Sequence, residues 1–305
     1  MEQNQSSTKV FLTSVILTTI FMGSSFPTGK YLISIEHVPP FLLGGWRFLI
    51  AGLLMVLWTL FTAGGKAIIP TSEGKIGKGF LLVAIIGLLQ TTGTMGFLNL
   101  AMAHGVSSSM SSVILFTNPL WLAFLAHFFL KDRLNSWKIF SLVLGVLGVI
   151  ICLGLDKSVL GIGGLFALLG SFCWAINTIV TKIVPFDKGP WIFTGWQLLI
   201  GGILMLILSA PLHESYNILH LSGYGWLWFA WLILPASVGS FGLWFSSLRQ
   251  RGATIASSFL FLVPVFSTIF SIIGLHDKFT IGLLIGGILI VIALIFVNKS
   301  SKVKE

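Results

Sequence analysis

The chain has 305 residues, of which 55% are hydrophobic and only 9% are charged, with a net charge of +9 and a mean hydropathy of +0.99. Soluble domains carry about a quarter charged residues, so more than half of the usual solubilising charge is missing. This composition disfavours a soluble enzyme, a secreted disulfide scaffold, a disordered regulator and a nucleic-acid binder. The class that fits is a polytopic membrane protein.

Long charge-free stretches predict ten membrane-spanning helices. A helix needs about 20 apolar residues to cross roughly 30 Å of hydrocarbon, so the charge-free run 79–130 holds two helices, joined near His104. The second helix has to include Arg47, because no other stretch in that part of the chain is long enough. The predicted spans are 10–32, 40–62, 79–102, 107–130, 138–155, 163–183, 190–210, 226–247, 254–275 and 279–297.

The first helix is expected to be a retained span and not a cleaved signal peptide. Lys9 and the apolar segment after it have the outline of a signal peptide. The apolar run continues past Pro27 to Ile33, however, which suits a full span.

Lysine and arginine are distributed unevenly between alternate connections. With a cytoplasmic N-terminus, 14 of them lie on that side and three on the other, and Arg47 is inside helix 2. The positive-inside rule therefore predicts a protein of the cell (inner) membrane with both termini in the cytoplasm. The same distribution accounts for the net charge, so we expect no nucleic-acid partner.

The two halves of the chain resemble each other. Residues 45–55 and 195–205 are identical at seven of eleven positions at a constant offset of 150, and 93–96 resemble 239–242. Four further pairs share an offset of 145: Ser112 and Ser257, Phe116 and Phe261, Pro119 and Pro264, and Asp132 and Asp277. The chain is therefore expected to contain two copies of a five-helix unit.

The predicted units are helices 1–5 in residues 1–155 and helices 6–10 in residues 156–305. Because five is an odd number, the second unit is inverted relative to the first. Inverted repeats are a transporter architecture with the substrate site near the midplane. Two similar halves that exchange conformations would supply the outward-open and inward-open states. We expect a central cavity lined mainly by helices 1, 3, 4, 6, 8 and 9.

Several short motifs stand at particular places in these helices. They are Gly23-Ser24-Ser25-Phe26 with Lys30 in helix 1, Pro39-Pro40 before helix 2, Arg47 in helix 2, Pro119 in helix 4, Lys131-Asp132-Arg133-Leu134 after it, and Trp174-Ala175-Ile176-Asn177 with Lys182 in helix 6. With the paired halves, they resemble the EamA branch of the drug/metabolite transporter (DMT) superfamily. The resemblance implies an exporter of amino acids, related metabolites or drugs, and no enzymatic activity. Two departures are Met22, where an aromatic residue is usual, and Gln197, the repeat counterpart of Arg47.

The nine acidic residues all lie in tails, in loops or at predicted helix ends. A proton-coupled exporter of cationic drugs generally needs a carboxylate at mid-membrane, as both cation site and proton carrier. We therefore expect facilitated diffusion, or coupling that does not use a buried carboxylate.

Three basic residues are the charged candidates within the spans. Arg47 lies in helix 2, Lys30 near the outer end of helix 1 and Lys182 near the inner end of helix 6. Ionisable groups in membrane helices are functional candidates because their burial is costly, and these three would draw a carboxylate toward the pathway. The alternative is that the long side chains snorkel to the interface and only anchor the helices.

The predicted substrate-binding set joins Arg47 with polar and aromatic residues inside the spans. Its other members are Ser24, Ser25, Gln90, Asn99, Phe116, Asn118, Trp174, Asn177, Trp244 and Phe261. Pro119 and Pro264 are expected to break helices 4 and 9 and, with Lys30 and Lys182, to serve as gating or kink positions. Such polar groups also bond neighbouring helices, prolines also make packing kinks, and phenylalanines also face lipid. Aromatic side chains that faced the cavity would favour an aromatic substrate.

The sequence predicts no metal or cofactor. Neither the histidines nor Cys152 and Cys173 have the spacing of a metal site, and no phosphate-binding loop follows a strand. The expected partners are a small-molecule substrate and the lipid bilayer, with the chain as a monomer or homodimer.

Together these features predict an all-α transporter that exports small metabolites, above all amino acids, by alternating access. Two rival transport functions remain: a drug exporter, and an organic-anion or phosphate-sugar exchanger, which is favoured if Arg47 and Lys182 face the cavity. A membrane assembly or lipid-handling protein would need a catalytic constellation or a large extramembrane surface. The longest connections, 63–78 and 211–225, are too short for either.

Overall fold

The computed structural model describes residues 2–129, 136–153, 161–184 and 186–302. Their regular structure is helical, apart from one isolated bridge between Ser72 and Lys75, which confirms the predicted all-α class for this part of the chain. The α-helices are α1 (Glu2–Ser34), α2 (Pro40–Ala63), α3 (Ile76–Ile86), α4 (Gly96–Ala103), α5 (Ser108–Leu115), α6 (Asn118–Phe129), α7 (Ser136–Leu153), α8 (Ile162–Ile183), α9 (Pro190–Ser209), α10 (Gly223–Ile233), α11 (Ser240–Ser258), α12 (Leu262–Leu275) and α13 (Ile281–Lys302).

Seven helical stretches in the described ranges are long and apolar enough to cross a membrane. They are Lys9–Ser34, Pro40–Ala63, Ile76–Ala103, Ser108–Phe129, Ile162–Thr181, Pro190–Ser209 and Gly223–Ser247. Three shorter apolar helices, Ile139–Gly148, Leu262–Leu275 and Ile281–Ala293, fall within predicted helices 5, 9 and 10. The chain is therefore a multi-span membrane protein, and the count of ten spans stays a prediction.

Two of the spans change from α-helical to π-helical geometry midway. Gly87–Met95 connects α3 to α4, and Leu234–Gly239 connects α10 to α11. In the second segment Pro235 has no N–H to donate, which removes one α-helical hydrogen bond. The two segments contain or adjoin the similar tetrapeptides 93–96 and 239–242. Helices with π-turns are rare and often occur at functional sites.

α2 packs closely against α9 through glycine residues. A Cβ atom added at Gly52 would lie 2.4 Å from the Leu199 amide nitrogen, and one added at Gly202 would lie 2.4 Å from the Leu49 amide nitrogen. Small residues let backbones approach this closely in membrane helices. The two contacts run in opposite order along the helices, so α2 and α9 are antiparallel. Around this pair, α1 packs against α11 and α12, while α8 packs against α4 and α6.

Helices 4 and 9 are interrupted shortly before their prolines. α5 ends at Leu115 and α6 begins at Asn118, directly before Pro119. In the second half a 3₁₀ turn, Phe259–Phe261, separates α11 from α12 and precedes Pro264.

The predicted helix ends differ from the structure in two places. α1 begins at Glu2 and not near residue 10, and α11 continues through Arg249 and Arg251 to Ser258, so the expected connection 248–253 is helical. Arginine and glutamate are good helix formers, so charge marks the end of an apolar span without ending the helix. The predicted unit boundary at 155/156, Asp132 and the motif 131–134 lie outside the described residues.

Candidate functional site

Arg47 reaches from α2 to the π-helical segment that follows α10. Its Nε donates a hydrogen bond to Ser237 Oγ at 3.1 Å, and Ser237 donates in turn to the Leu232 carbonyl at 2.8 Å. The central carbon of the guanidinium lies 4.7 Å from the centre of the Phe48 ring. Arg47 is half-buried, and no acidic residue of the described ranges pairs with it. Its terminal N–H groups therefore remain available, in the planar arrangement that binds a carboxylate through two hydrogen bonds.

A second contact joins α9 to the other π-helical segment. Thr91 Oγ1 donates to the Gln197 carbonyl at 3.4 Å, and Thr92 Oγ1 donates to the Gly201 carbonyl at 3.0 Å. Gln197 is the repeat counterpart of Arg47, and Thr91 corresponds to Ser237 in the alignment that pairs 93–96 with 239–242. In each half, the corresponding span thus contacts a π-helical segment. Arg47 makes this contact through its charged side chain, whereas Gln197 makes it through its backbone carbonyl.

Asn177 and Gln90 form a pair of side-chain amides between α8 and the first π-helical segment. Asn177 Nδ2 donates to Gln90 Oε1 at 2.9 Å. Asn177 is only 7% exposed, and its Oδ1 is buried without a hydrogen-bond partner among the described residues. Two of the residues predicted to bind substrate are therefore in direct contact.

The serines of helix 1 are occupied by protein contacts. Ser24 Oγ accepts a hydrogen bond from Trp231 Nε1 at 2.9 Å and donates to the Phe21 carbonyl at 2.9 Å. Ser25 Oγ donates to the Met22 carbonyl of its own helix at 2.6 Å. The Ser24 contact attaches α1 to α10, while the Ser25 contact is local.

Lys30 and Asn99 also bond neighbouring helices. Lys30 Nζ donates to the Met102 carbonyl at 2.5 Å, which joins α1 to α4. Asn99 Nδ2 donates to the Pro40 carbonyl at 3.0 Å, which joins α4 to the start of α2. The Asn99 contact is the interhelical alternative to substrate binding, whereas Lys30 bonds a backbone carbonyl of a neighbouring helix.

Two of the predicted aromatic residues meet. Phe116, at the break between α5 and α6, packs edge-on against Trp174 of α8, with ring centres 5.4 Å apart. Both belong to the main apolar cluster, which also contains Phe48 beside Arg47. Trp244 lies apart from them and packs in a cluster with Phe11. Asn118 is buried at the start of α6, whereas the side chains of Lys182 and Phe261 lie outside the described part.

Two apolar grooves open toward the outside of the helix bundle. One of about 480 Å³, between α1, α10 and α12, has Trp231 on its wall and Ile273, which is 69% exposed, at its edge. The other, of about 450 Å³, lies between α5, α12 and α13 and is lined by Pro264. Neither is lined by Arg47 or Asn177, so neither is the predicted central cavity.

Three carboxylates that the sequence reasoning did not select link the two halves of the chain. Each of them adjoins a histidine in the sequence, and this pattern could have singled them out. In the structure, that histidine has a positive φ angle in all three cases. The pairs are Glu36 with His37 (φ 56°), Glu214 with His213 (φ 54°) and Asp277 with His276 (φ 54°).

Each of these carboxylates accepts hydrogen bonds from the other half. Glu36 accepts from the backbone N–H of Ser222 at 3.2 Å and from its hydroxyl. Glu214 accepts from the Phe41 and Leu42 amides at 3.1 and 2.8 Å, at the first turn of α2, and burial raises the pKa of this carboxyl. Asp277 accepts from Ser108 Oγ at 3.0 Å. The three links lie on the face that the lysine and arginine count assigns to the outside.

Comparison with known proteins identifies the relatives of this chain. The model of the EamA-like transporter family matches residues 10–154 and 161–299. The chain is 29% identical to the uncharacterized transporter YoaV of Bacillus subtilis, over 92% of this chain and 94% of that protein. It is 27% identical to a chloroplastic WAT1-related protein of Arabidopsis thaliana, over 92% and 69%, and 26% identical to protein PecM of Dickeya dadantii, over 91% and 81%. One protein of known crystal structure shares the fold with a TM-score of 0.62 and 19% identity, over 97% of this chain and 99% of the other.

Proposed function

Because the chain belongs to the EamA-like transporter family, we propose that it exports small metabolites that carry a carboxylate, above all amino acids. The carrier would lie in the cell membrane with both termini in the cytoplasm and alternate access between two inverted five-helix units. One observation supports this substrate class: the guanidinium of Arg47 has free N–H groups and no acidic partner in the described part of the chain.

Reciprocal contacts support the inverted repeat. The contact of Gly52 with Leu199 becomes that of Gly202 with Leu49 when the two halves are exchanged at an offset of 150. Contacts that map onto each other in this way are the property of a two-fold axis. The hydrogen bonds at the two π-helical segments join corresponding residues, Arg47 with Ser237 and Gln197 with Thr91, although Arg47 donates from its side chain and Gln197 accepts through its backbone carbonyl. The family match in two segments of similar length also supports this arrangement.

This symmetry bears on the depth of Arg47. The reciprocal contacts centre the axis between Ile50 and Ala51 on α2, and Arg47 is three to four residues away, about 5 Å along the helix axis. In inverted repeats the axis lies in the plane of the membrane and the substrate site is near the midplane. Arg47 at that depth is far from either interface, which favours a substrate role over snorkelling.

The surroundings of Arg47 favour a substrate with a flat apolar part. The Phe48 ring lies against Arg47 and belongs to the same apolar cluster as Phe116 and Trp174, and an amino acid with an aromatic side chain would match a cation next to an aromatic ring. The described spans contain no acidic residue. Exchange is therefore proposed to proceed without a proton gradient.

An organic-anion exchanger is the second candidate. A lone cation favours a net anion as much as a zwitterion, and Arg47 has no acidic partner in the described part of the chain that would cancel its charge. The drug-exporter reading has no observation of this kind in its favour.

The test is counterflow in proteoliposomes with a panel of amino acids, deaminated carboxylates and cationic drugs, with and without a pH gradient. Arg47→Gln places the residue of the repeat counterpart at this position, so the packing should tolerate it. A charge-assisted hydrogen bond is worth about 1.5–3 kcal/mol, so we expect exchange to fall by about tenfold or more. Arg47→Lys, which keeps the charge but not the planar pair of donors, should retain part of the activity.

Lys66→Gln is the matched control, because it removes an exposed charge outside the spans. Unchanged exchange by Arg47→Gln would refute the role of Arg47, and exchange of cationic drugs alone would refute the substrate class. Accumulation that requires a pH gradient would refute the proposed mechanism.

A further inference from the structure

The amide pair of Asn177 and Gln90 contains one of three buried side-chain atoms that have no hydrogen-bond partner among the described residues, and the other two are the hydroxyls of Ser109 and Ser111 in α5. The hydroxyls next to Gln90, on Thr91 and Thr92, each donate to a carbonyl of α9. Asn177 Nδ2 is likewise used, because it donates to Gln90 Oε1 at 2.9 Å. Its Oδ1 is buried and has no donor among the described residues.

A buried acceptor without a donor costs free energy, because it has lost water and gained nothing in return. Two apolar side chains of similar shape would avoid this cost. The Gln90 bond explains why the Asn177 side chain is held in one orientation, but it does not explain the free oxygen. An arrangement that keeps such an acceptor is ready to receive a hydrogen-bond donor.

The position of the pair connects it with the proposed transport site. Gln90 lies in the first π-helical segment, and the next residue, Thr91, bonds the backbone of Gln197, which is the repeat counterpart of Arg47. Arg47 thus bonds the second π-helical segment, and the amide pair lies at the first, which contacts α9. Arg47 offers donors to a carboxylate, whereas Asn177 Oδ1 can only accept.

We propose that the Asn177–Gln90 pair binds the amino group of the substrate, with Asn177 Oδ1 as the acceptor. This inference rests on the proposed function and deepens it, because it selects amino acids over carboxylates that lack an N–H group. An ammonium group brings up to three donors and a positive charge, and both amide oxygens of the pair are acceptors with a second lone pair. A charged donor makes the stronger hydrogen bond in a low-dielectric site.

The test compares phenylalanine with 3-phenylpropionate, which differs only in the missing amino group. The double variant Asn177→Leu/Gln90→Leu removes both partners and leaves no unpaired amide. We expect its counterflow of phenylalanine to fall by about tenfold or more relative to 3-phenylpropionate. Thr178→Val is the matched control on α8, because the Thr178 hydroxyl bonds the Trp174 carbonyl of its own helix. It should leave the ratio of the two substrates unchanged.

Thermal unfolding in detergent separates a binding role from a structural one. If the pair serves substrate, its replacement by leucines should keep or raise the melting temperature of the substrate-free protein. A lower melting temperature with an unchanged substrate ratio would overturn the inference, because the pair would then be a packing contact.

The wild-type protein distinguishes this inference from the proposed function. Exchange of 3-phenylpropionate but not of phenylalanine would overturn amino-group recognition and leave a carboxylate carrier. Exchange of neither compound, nor of any other carboxylate in the panel, would overturn both. Exchange of phenylalanine with a double variant that still prefers it would overturn the inference alone.

Discussion

The contact between α2 and α9 predicts a matched pair of destabilising substitutions. In Gly52→Ala the new Cβ would lie 2.4 Å from the Leu199 amide nitrogen, and in Gly202→Ala it would lie 2.4 Å from the Leu49 amide nitrogen. Both distances are about 1 Å short of ordinary contact. Backbone atoms of a helix cannot move aside alone, so the helices themselves must separate.

The expected magnitude follows from two opposing effects. Overpacking of this kind costs about 1–3 kcal/mol, while replacing glycine by alanine within a helix contributes about 0.5–1 kcal/mol. Each variant should therefore be destabilised by about 1–2 kcal/mol. Gly287→Ala in α13, where an added Cβ meets nothing within 4 Å, should be neutral or slightly stabilising.

The assay is the midpoint of thermal unfolding in detergent for the three single variants and the double variant Gly52→Ala/Gly202→Ala. Since one separation of the helices relieves both clashes, the double variant should lose less than the sum of the singles. The reasoning is wrong if either single variant behaves like Gly287→Ala, or if the two single variants differ widely. Full additivity would show that the two sites do not share one contact.

Three further predictions concern the contacts between helices and loops. Burial raises the pKa of Glu214, so the folded state takes up a proton more readily than the unfolded state. The melting temperature should therefore rise as the pH falls toward the usual pKa of this carboxyl. Glu214→Gln should remove that rise when melting temperatures are measured over a series of pH values. A hydrogen bond from the backbone of Gly74, with smaller contributions from its neighbours, lowers the pKa of Asp187. The stabilisation by Asp187 is therefore present above the usual pKa of this carboxyl and is lost as the pH falls below it. Asp187→Asn should flatten the acidic part of a plot of melting temperature against pH, and an unchanged plot would contradict this link. Trp231→Phe removes the hydrogen bond to Ser24 and should lower the free energy of unfolding by about 1 kcal/mol. Trp226→Phe, at a more exposed position, should leave the free energy of unfolding unchanged.

The spans could be predicted from the sequence because charge is scarce and its gaps measure the thickness of a bilayer. The end of α11 could not, because Arg249 and Arg251 leave the apolar span while the helix continues. The π-helical segments were also not predicted, since a change of hydrogen-bond register leaves hydropathy unaltered. Pro235 was the local signal for one of them.

The candidate site was predictable in part. Depth in the membrane and residue type selected Arg47, Gln90 and Asn177, and the last two meet in the structure. The partner of Arg47, Ser237, comes from a span 190 residues away in sequence, and no periodicity within one helix reveals such a contact. Trp244 was selected by depth as well, and its packing against the cluster of Phe11 could not be predicted from the sequence.

The links between the halves on the proposed outer face bear on how such a carrier alternates. Glu36, Glu214 and Asp277 each accept hydrogen bonds from the opposite half. On the other face, Asp187 accepts from the amides of Glu73 and Gly74. Opening the outer face has to replace the bonds of all three carboxylates by bonds to water, and each charge-assisted bond is worth about 1.5–3 kcal/mol at most in such positions. A substrate shifts a conformational equilibrium only by its difference in affinity for the two states. In the proposed mechanism, substrate contacts to Arg47 and to the amide pair that differ between the two states therefore have to outweigh these links, so the proposed binding residues control the opening of the outer face.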